Sequence, residues 1–168
     1  MKTRNAESRI VPAGPAELAA IRLLADATWR AHYTGIISPE QIEYMLQRMY
    51  DLEVMRHELR SGISYDQLFC ENDLVAFASY GPVLKELKLH KLYVHPERQR
   101  QGFGTMLLRH VEEHAKRQGL HRLILAVNKG NQKALAAYEK NGFAIRESVV
   151  VDIGGGFVMD DYIMHKAL

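Results

Sequence analysis

The sequence predicts an α/β fold of about seven strands and four helices in the order β-α-α-β-β-β-α-β-α-β-β. Three observations support it. Short apolar or alternating runs are set off by turn residues, as strands are. Four longer stretches repeat apolar residues every three or four positions behind recognisable helix starts. Between residues 92 and 104 an apolar strand runs into a basic, amide-rich loop with two glycines, and the loop opens an amphipathic helix.

The elements follow in order. Residues 7–11 read as a first strand. From Pro15 to about residue 33, Leu18, Ile21, Leu24 and Ala25 share one helical face. Ser38-Pro39-Glu40-Gln41 supplies an N-cap, a first-turn proline and an acid for a second helical stretch reaching about residue 60, with a candidate break at 50–52. Strands are expected at 65–71, 74–81 and 85–94, with turns at Asn72-Asp73 and Gly81-Pro82. The glycine loop starts a helix over 102–118, and a strand follows at 122–127. Asn131 then caps a short helix carrying Ala134, Leu135 and Tyr138 on one face and ending at Gly142. Strands near 143–153 and 157–165 finish the chain, with Gly154-Gly155-Gly156 as their hairpin tip.

Composition bounds the function classes. The chain has 168 residues and no internal repeats or low-complexity linkers, which reads as one domain spanning residues 1–168. No apolar run approaches the roughly 18 residues of a membrane span, and the first residues lack the apolar core of a signal peptide. The 22 basic and 20 acidic residues nearly balance, and no basic cluster marks a nucleic-acid footprint. A single cysteine, Cys70, excludes an internal disulfide and fits a reducing compartment; its strand-like setting reads as a buried thiol. The expectation is a cytoplasmic protein with no nucleic-acid or membrane partner.

The loop Gln99-Arg100-Gln101-Gly102-Phe103-Gly104-Thr105 has the makings of a phosphate cradle. Glycines allow close backbone approach, amides converge, and a helix N-terminus carries about half a positive charge. A strand–Gly-x-Gly–helix junction also serves as a plain structural turn, so both readings stand at this point. A P-loop is excluded because no Gly-Lys-Ser/Thr closes the loop. A dinucleotide fingerprint is excluded because Leu107 stands where a third small residue belongs. The spacing His110-Val111-Glu112-Glu113-His114 matches a zinc-peptidase pattern, but Leu107, Leu108, Val111 and Ala115 already form that helix's apolar face, so no metal site is expected.

Two blocks together bear on family. Gln99, Gly102 and Gly104 match a Gln/Arg-x-x-Gly-x-Gly/Ala pattern, and Asn131, Ala134, Tyr138 and Gly142-Phe143 match an Asn-x-x-Ala-x-x-x-Tyr helix ending in Gly-Phe. In this combination the chain resembles the GCN5-related N-acetyltransferase superfamily (GNAT). Within it, residues 28–33, Ser38-Pro39-Glu40 and the ending from Asp160 to Leu168 look like the PaiA-type spermidine/spermine acetyltransferases, patchily before residue 85 and more closely after it. The resemblance implies a GNAT fold, a mixed and mostly antiparallel sheet of about seven strands flanked by four helices. It also implies acetyl-CoA as co-substrate, no metal, and direct attack of an amine on the acetyl thioester in a ternary complex.

Site residues follow from that resemblance. Main-chain groups around Leu92 and Val94 would pair with the pantetheine arm. The pyrophosphate would sit on Gln99, Arg100, Gln101, Gly102, Gly104 and Thr105. Asn131 would hydrogen-bond the cofactor arm, and Tyr138 would lie near the sulfur as general acid; periodicity alone favours Tyr138 as a core aromatic, and the surrounding motif reverses that. For the general base, Glu86 and His90 alternate on one face of the strand at 85–94 and are both candidates, beside the alternative of a water relay. The acceptor pocket would be walled by the first two helices and the last hairpin, making Trp29, His32 and Tyr33 candidate contacts. A polyamine pocket should gather carboxylates, and Glu40, Glu43, Asp152, Asp160 and Asp161 are available. The expected partner is a small-molecule amine, with a peptide or protein amine as the alternative within the enzyme class and a non-catalytic acyl-CoA sensor outside it. The chain is expected to be a monomer or a homodimer.

Overall fold

A computed structural model of the chain describes residues 7–168. Seven strands form one sheet in the order β1-β2-β3-β4-β5-β7-β6. They are β1 (Ser8–Pro12), β2 (Ser64–Cys70), β3 (Asp73–Val83), β4 (Glu86–Val94), β5 (Arg122–Asn128), β6 (Ala144–Gly154) and β7 (Phe157–Ala167). Every neighbouring pair is antiparallel except β4–β5.

Five α-helices rather than four accompany the sheet: α1 (Leu18–Tyr33), α2 (Pro39–Tyr50), α3 (Leu52–Arg60), α4 (Phe103–Arg117) and α5 (Gln132–Lys140). The extra helix comes from a break at Asp51. This residue is extended (ψ 132), and its carboxylate accepts from the amides of Glu53 and Val54, so it ends α2 and caps α3 at once. Ser38 caps α2 as expected, accepting from the Gln41 amide.

One turn differs from expectation. β3 runs through Gly81-Pro82 to Val83, and the reversal occurs at Leu84, which has positive φ and is exposed. Pro82 is registered against Leu87 of β4, and proline is tolerated because β2 pairs with β3 only as far as Tyr80, leaving no ladder on that side to need its missing N–H.

Two cores lie on opposite faces. Leu107, Leu108, Val111 and Ala115 of α4 pack with Leu87, Leu89, Leu123 and Met164 on one. Trp29, Tyr33, Ile42, Met45, Tyr50 and Phe77 gather between α1–α3 and the sheet on the other. The final hairpin is fastened to this second layer. Tyr44 of α2 donates to the Ile153 carbonyl (2.6 Å) and stacks on Phe157. A Cβ on Gly155 would lie 2.8 Å from the Tyr44 ring, and Gly155 has φ +62, so the tip needs glycine for both clearance and conformation.

Candidate active site

The site begins where β4 and β5 part. Their parallel ladder holds only at Leu87–Leu89 against Leu123–Leu125, while β4 continues to Val94 beside β3 and β5 continues to Asn128 beside β7. Residues 90–94 therefore leave one backbone edge without a sheet partner. A register shift opposite Ser79 and Tyr80 sets an extra residue, His90, into β4. Leu87 and Leu89 pack on the α4 side, and so do Leu92 and Val94, whereas Lys91 and Tyr93 turn to the α1–α3 side. The bulge is what reverses the alternation.

Beyond the open edge lies the glycine loop. Arg98 is tied to Asp73 (2.8 Å), and the Gln99 side chain donates to the Val94 carbonyl (3.2 Å). Arg100 and Gly102 both have positive φ, and Gly102 caps α4 without a side chain. The backbone amides from Gln99 to Thr105 donate to no acceptor among the described residues, and a Cβ on Gly102 would meet open space. Unsatisfied amides at a helix N-terminus can receive a phosphate. These residues therefore fit the diphosphate of coenzyme A, and the free edge at Leu92 fits an extended amide-bearing arm.

α5 stands on the same side of the gap. Asn131, 4% exposed, caps it by accepting from the Ala134 amide (3.2 Å), and its Oδ1 also accepts from His32 Nε2 (2.8 Å). His32 thus braces Asn131 and lies outside the cavity lined by Trp29 and Tyr33. Tyr138 is half-buried, packs edge-on against Phe143, and its hydroxyl makes no hydrogen bond among the described residues. Burial, with a smaller effect from Tyr33, pushes its pKa up, so the phenol stays protonated at neutral pH.

Through the gap, on the α1–α3 side, is a cavity of about 340 Å³. Trp29 and Tyr33 of α1 and Tyr93 of β4 form an aromatic wall, with the Tyr33 and Tyr93 hydroxyls 3.4 Å apart. Met45, Met159 and Val151 close the far side. Tyr93 was not among the sequence candidates, because strict alternation across 85–94 does not anticipate the bulge that turns it here.

The charged groups of this pocket are few. Lys91, 4% exposed, donates to the Glu58 carboxylate (3.0 Å) and the Tyr65 oxygen (2.6 Å); burial pulls its pKa down and Glu58 opposes that. His90 lines the pocket, and burial followed by Lys88 and Lys91 lowers it to about 4. Glu86, the other candidate base, is not brought beside it. It lies at the start of β4, paired with Arg146 (3.0 Å) and Arg122 (3.6 Å), outside the lining. Of the five carboxylates proposed for a polyamine, only Asp161 lines this cavity. Glu43 pairs with Arg30, Asp160 with Lys129, and Asp152 accepts from the Gly154 amide. Glu40 borders a shallower depression of about 360 Å³ at the α1–α2 junction, away from the gap.

The two histidines with metal-like spacing are otherwise engaged. His110 hydrogen-bonds Asp66 (2.9 Å), and His114 packs against the Tyr80 ring. Among the described residues no three His, Cys, Asp or Glu side chains gather as a metal site.

The Acetyltransferase (GNAT) family model matches residues 21–143. This chain belongs to that family. It is an N-acetyltransferase, and acetyl-CoA is its acyl donor. A spermidine N(1)-acetyltransferase of Thermoplasma acidophilum is 29% identical over 142 residues, covering 82% of this chain and 86% of its own. The crystal structure of the PaiA N-acetyltransferase from Thermoplasma acidophilum in complex with coenzyme A superposes with a TM-score of 0.84 at 27% identity, covering 96% of this chain and 99% of that one. The ribosomal protein bS18-alanine N-acetyltransferase of Escherichia coli is 39% identical, but over 46% of this chain and 52% of its own. As a GNAT enzyme the chain has the seven-stranded, mostly antiparallel sheet expected of it. No helix of the described residues is long and apolar enough to cross a membrane.

Proposed function

We propose that this GNAT enzyme acetylates the primary amine of a small molecule seated in the 340 Å³ pocket, with donor and acceptor meeting in the gap between β4 and β5. The observation that carries the reading is the placement of the two half-sites. Unsatisfied loop amides and Tyr138 lie on one side of the gap, and an aromatic pocket with a free carboxylate lies on the other. The Thermoplasma spermidine N(1)-acetyltransferase supports a polyamine as one acceptor within this class. The last hairpin walls the cavity through Val149, Val151 and Met159 and is fastened to α2 by Tyr44, which supports a small-molecule pocket over an open peptide groove.

Acetyl-CoA, when bound, supplies an already activated thioester carbonyl. The chain's part is to bring the groups together and move protons. The Gln99–Thr105 amides and the Leu92 edge hold the donor, with Asn131 at its arm. The acceptor nitrogen forms its bond to the carbonyl carbon as the C–S bond breaks. Its proton leaves toward the pocket side, where neutral His90 and the Asp161 carboxylate can each accept a hydrogen bond from it. With a pKa near 4, His90 is too weak a base to hold that proton and serves as a relay to water. Tyr138 keeps its proton at neutral pH and can donate it to the departing sulfur.

The test is acetyl-CoA consumption against a panel of polyamines, alkylamines, amino acids and short peptides. Turnover with free amines of low mass and not with peptides is expected; turnover with peptides alone would refute the small-molecule reading.

A further inference from the structure

Once the internal pairs of the acceptor pocket are set aside, two opposite charges remain. Lys91 is neutralised by Glu58, and His90 is uncharged at neutral pH. Asp161 is 4% exposed, and among the described residues it makes no ion pair and its Oδ1 has no hydrogen-bond partner. The neighbouring Lys129 is paired with Asp160; burial and then Asp160 push the Asp161 pKa up, and Lys129 and Lys88 oppose that. Lys88 also lines the cavity and has no ion-pair partner among the described residues. A buried carboxylate left without a donor is costly unless a ligand satisfies it, and the same pocket offers a cation to the ligand's other end.

The positions give the two charges an order. Asp161 pairs with Asn128 at the loop end of β5, beyond the last β4–β5 pair at Leu125, and lines the cavity with Tyr33. Asp161 therefore belongs to the reacting end. Lys88 pairs with Ile124, lower in the sheet. Strand geometry separates the two α-carbons by roughly 16 Å, and the side chains reaching inward leave roughly half of that.

We infer that the acceptor is a small amine that also carries an anionic group, its ammonium held by Asp161 and its anion by Lys88. This rests on the acetyl-transfer reading above and narrows its substrate class. Laid alongside both groups, an amine and a carboxylate joined by about five methylenes match that separation, while a polyamine of the same length would set a second ammonium against Lys88. The aromatic and methionine walls suit the connecting chain.

The experiment compares 6-aminohexanoate with 1,6-diaminohexane and spermidine, using the wild type, Lys88→Glu and Lys88→Gln. Acetyl-CoA affinity, read by titration, reports that each variant is folded. The wild type should show a kcat/KM for 6-aminohexanoate at least about tenfold above that for the diamine, through KM. Lys88→Glu should invert the preference, and Lys88→Gln should level it. Should the wild type prefer spermidine or the diamine, or should Lys88→Glu leave the ratio unmoved, the inference is overturned. Binding of acetyl-CoA with no turnover of any amine would instead refute the acetyl-transfer reading on which it rests.

Discussion

His32 Nε2 donates to Asn131 Oδ1 at 2.8 Å, joining the end of α1 to the cap of α5. The two residues are 99 positions apart in sequence. The same oxygen accepts from the Ala134 amide, so one buried side chain sets the start of α5 and faces the acceptor-side helix. Replacing His32 with Ala leaves Asn131 without this donor. We expect a stability loss of about 0.5–1.5 kcal/mol and weaker acetyl-CoA binding, with little change in amine KM at saturating donor. Thermal unfolding and donor titration check it. A rise in amine KM alone would return His32 to the role of acceptor contact.

Gly102 has φ +87, a conformation that resists a β-branched side chain, and its Cβ direction leads into open space beside the free amides. Gly102→Val should therefore weaken acetyl-CoA binding by tenfold or more while the fold survives, with a backbone penalty of about 1–2 kcal/mol. Calorimetric titration with acetyl-CoA checks it, and unchanged affinity in a folded variant would remove the loop from the donor site.

Tyr138→Phe deletes a hydroxyl that has no hydrogen-bond partner among the described residues and keeps the ring against Phe143. General-acid catalysis contributes roughly 10²–10⁴-fold, and water can replace part of it. We expect kcat to fall toward the lower limit of that range, with Tm and donor affinity nearly unchanged. Loss of stability and donor binding together would mark Tyr138 as a core aromatic.

His90 makes a pH prediction with two parts. Its folded-state pKa, about 4, lies below the ordinary imidazole value near 6.5. Between these values the unfolded chain binds more protons, so stability present above pH about 6.5 is lost as pH falls through that window. His90→Gln should flatten this dependence, measured by denaturant unfolding across the range. Above pH about 6.5 His90 is neutral throughout, so the acid limb of kcat/KM should follow the ammonium pKa of whichever acceptor is used. A fixed limb that disappears in His90→Gln would show His90 titrating as the base.

The parts of this site legible in the sequence are those written locally. Ser38 and Asn131 are caps that act within three residues, and the glycine loop meets α4 through its own backbone. What was not legible depends on distant partners. The bulge at His90 arises from register against Ser79 and Tyr80, and it alone turns Lys91 and Tyr93 into the α1–α3 layer. Glu86 is occupied by Arg146, 60 residues away, which no strand periodicity announces. Asp161 is one of five available acids, and only its place in the cavity wall, set by the pairing of β5 with β7, singles it out. The break at Asp51 lay within the expected 50–52, yet its dual capping role, and hence a fifth helix, needed the backbone to be seen.

The proposed reaction is direct transfer from donor to amine with both bound across the β4–β5 gap. It is tested most directly by initial velocities over a matrix of acetyl-CoA and amine concentrations, following free thiol and N-acetylated amine together. Direct transfer gives intersecting reciprocal plots, thiol and product in equal amounts, and no thiol without amine. Parallel plots, or stoichiometric thiol release by the enzyme alone with the acetyl group left on the protein, would contradict it.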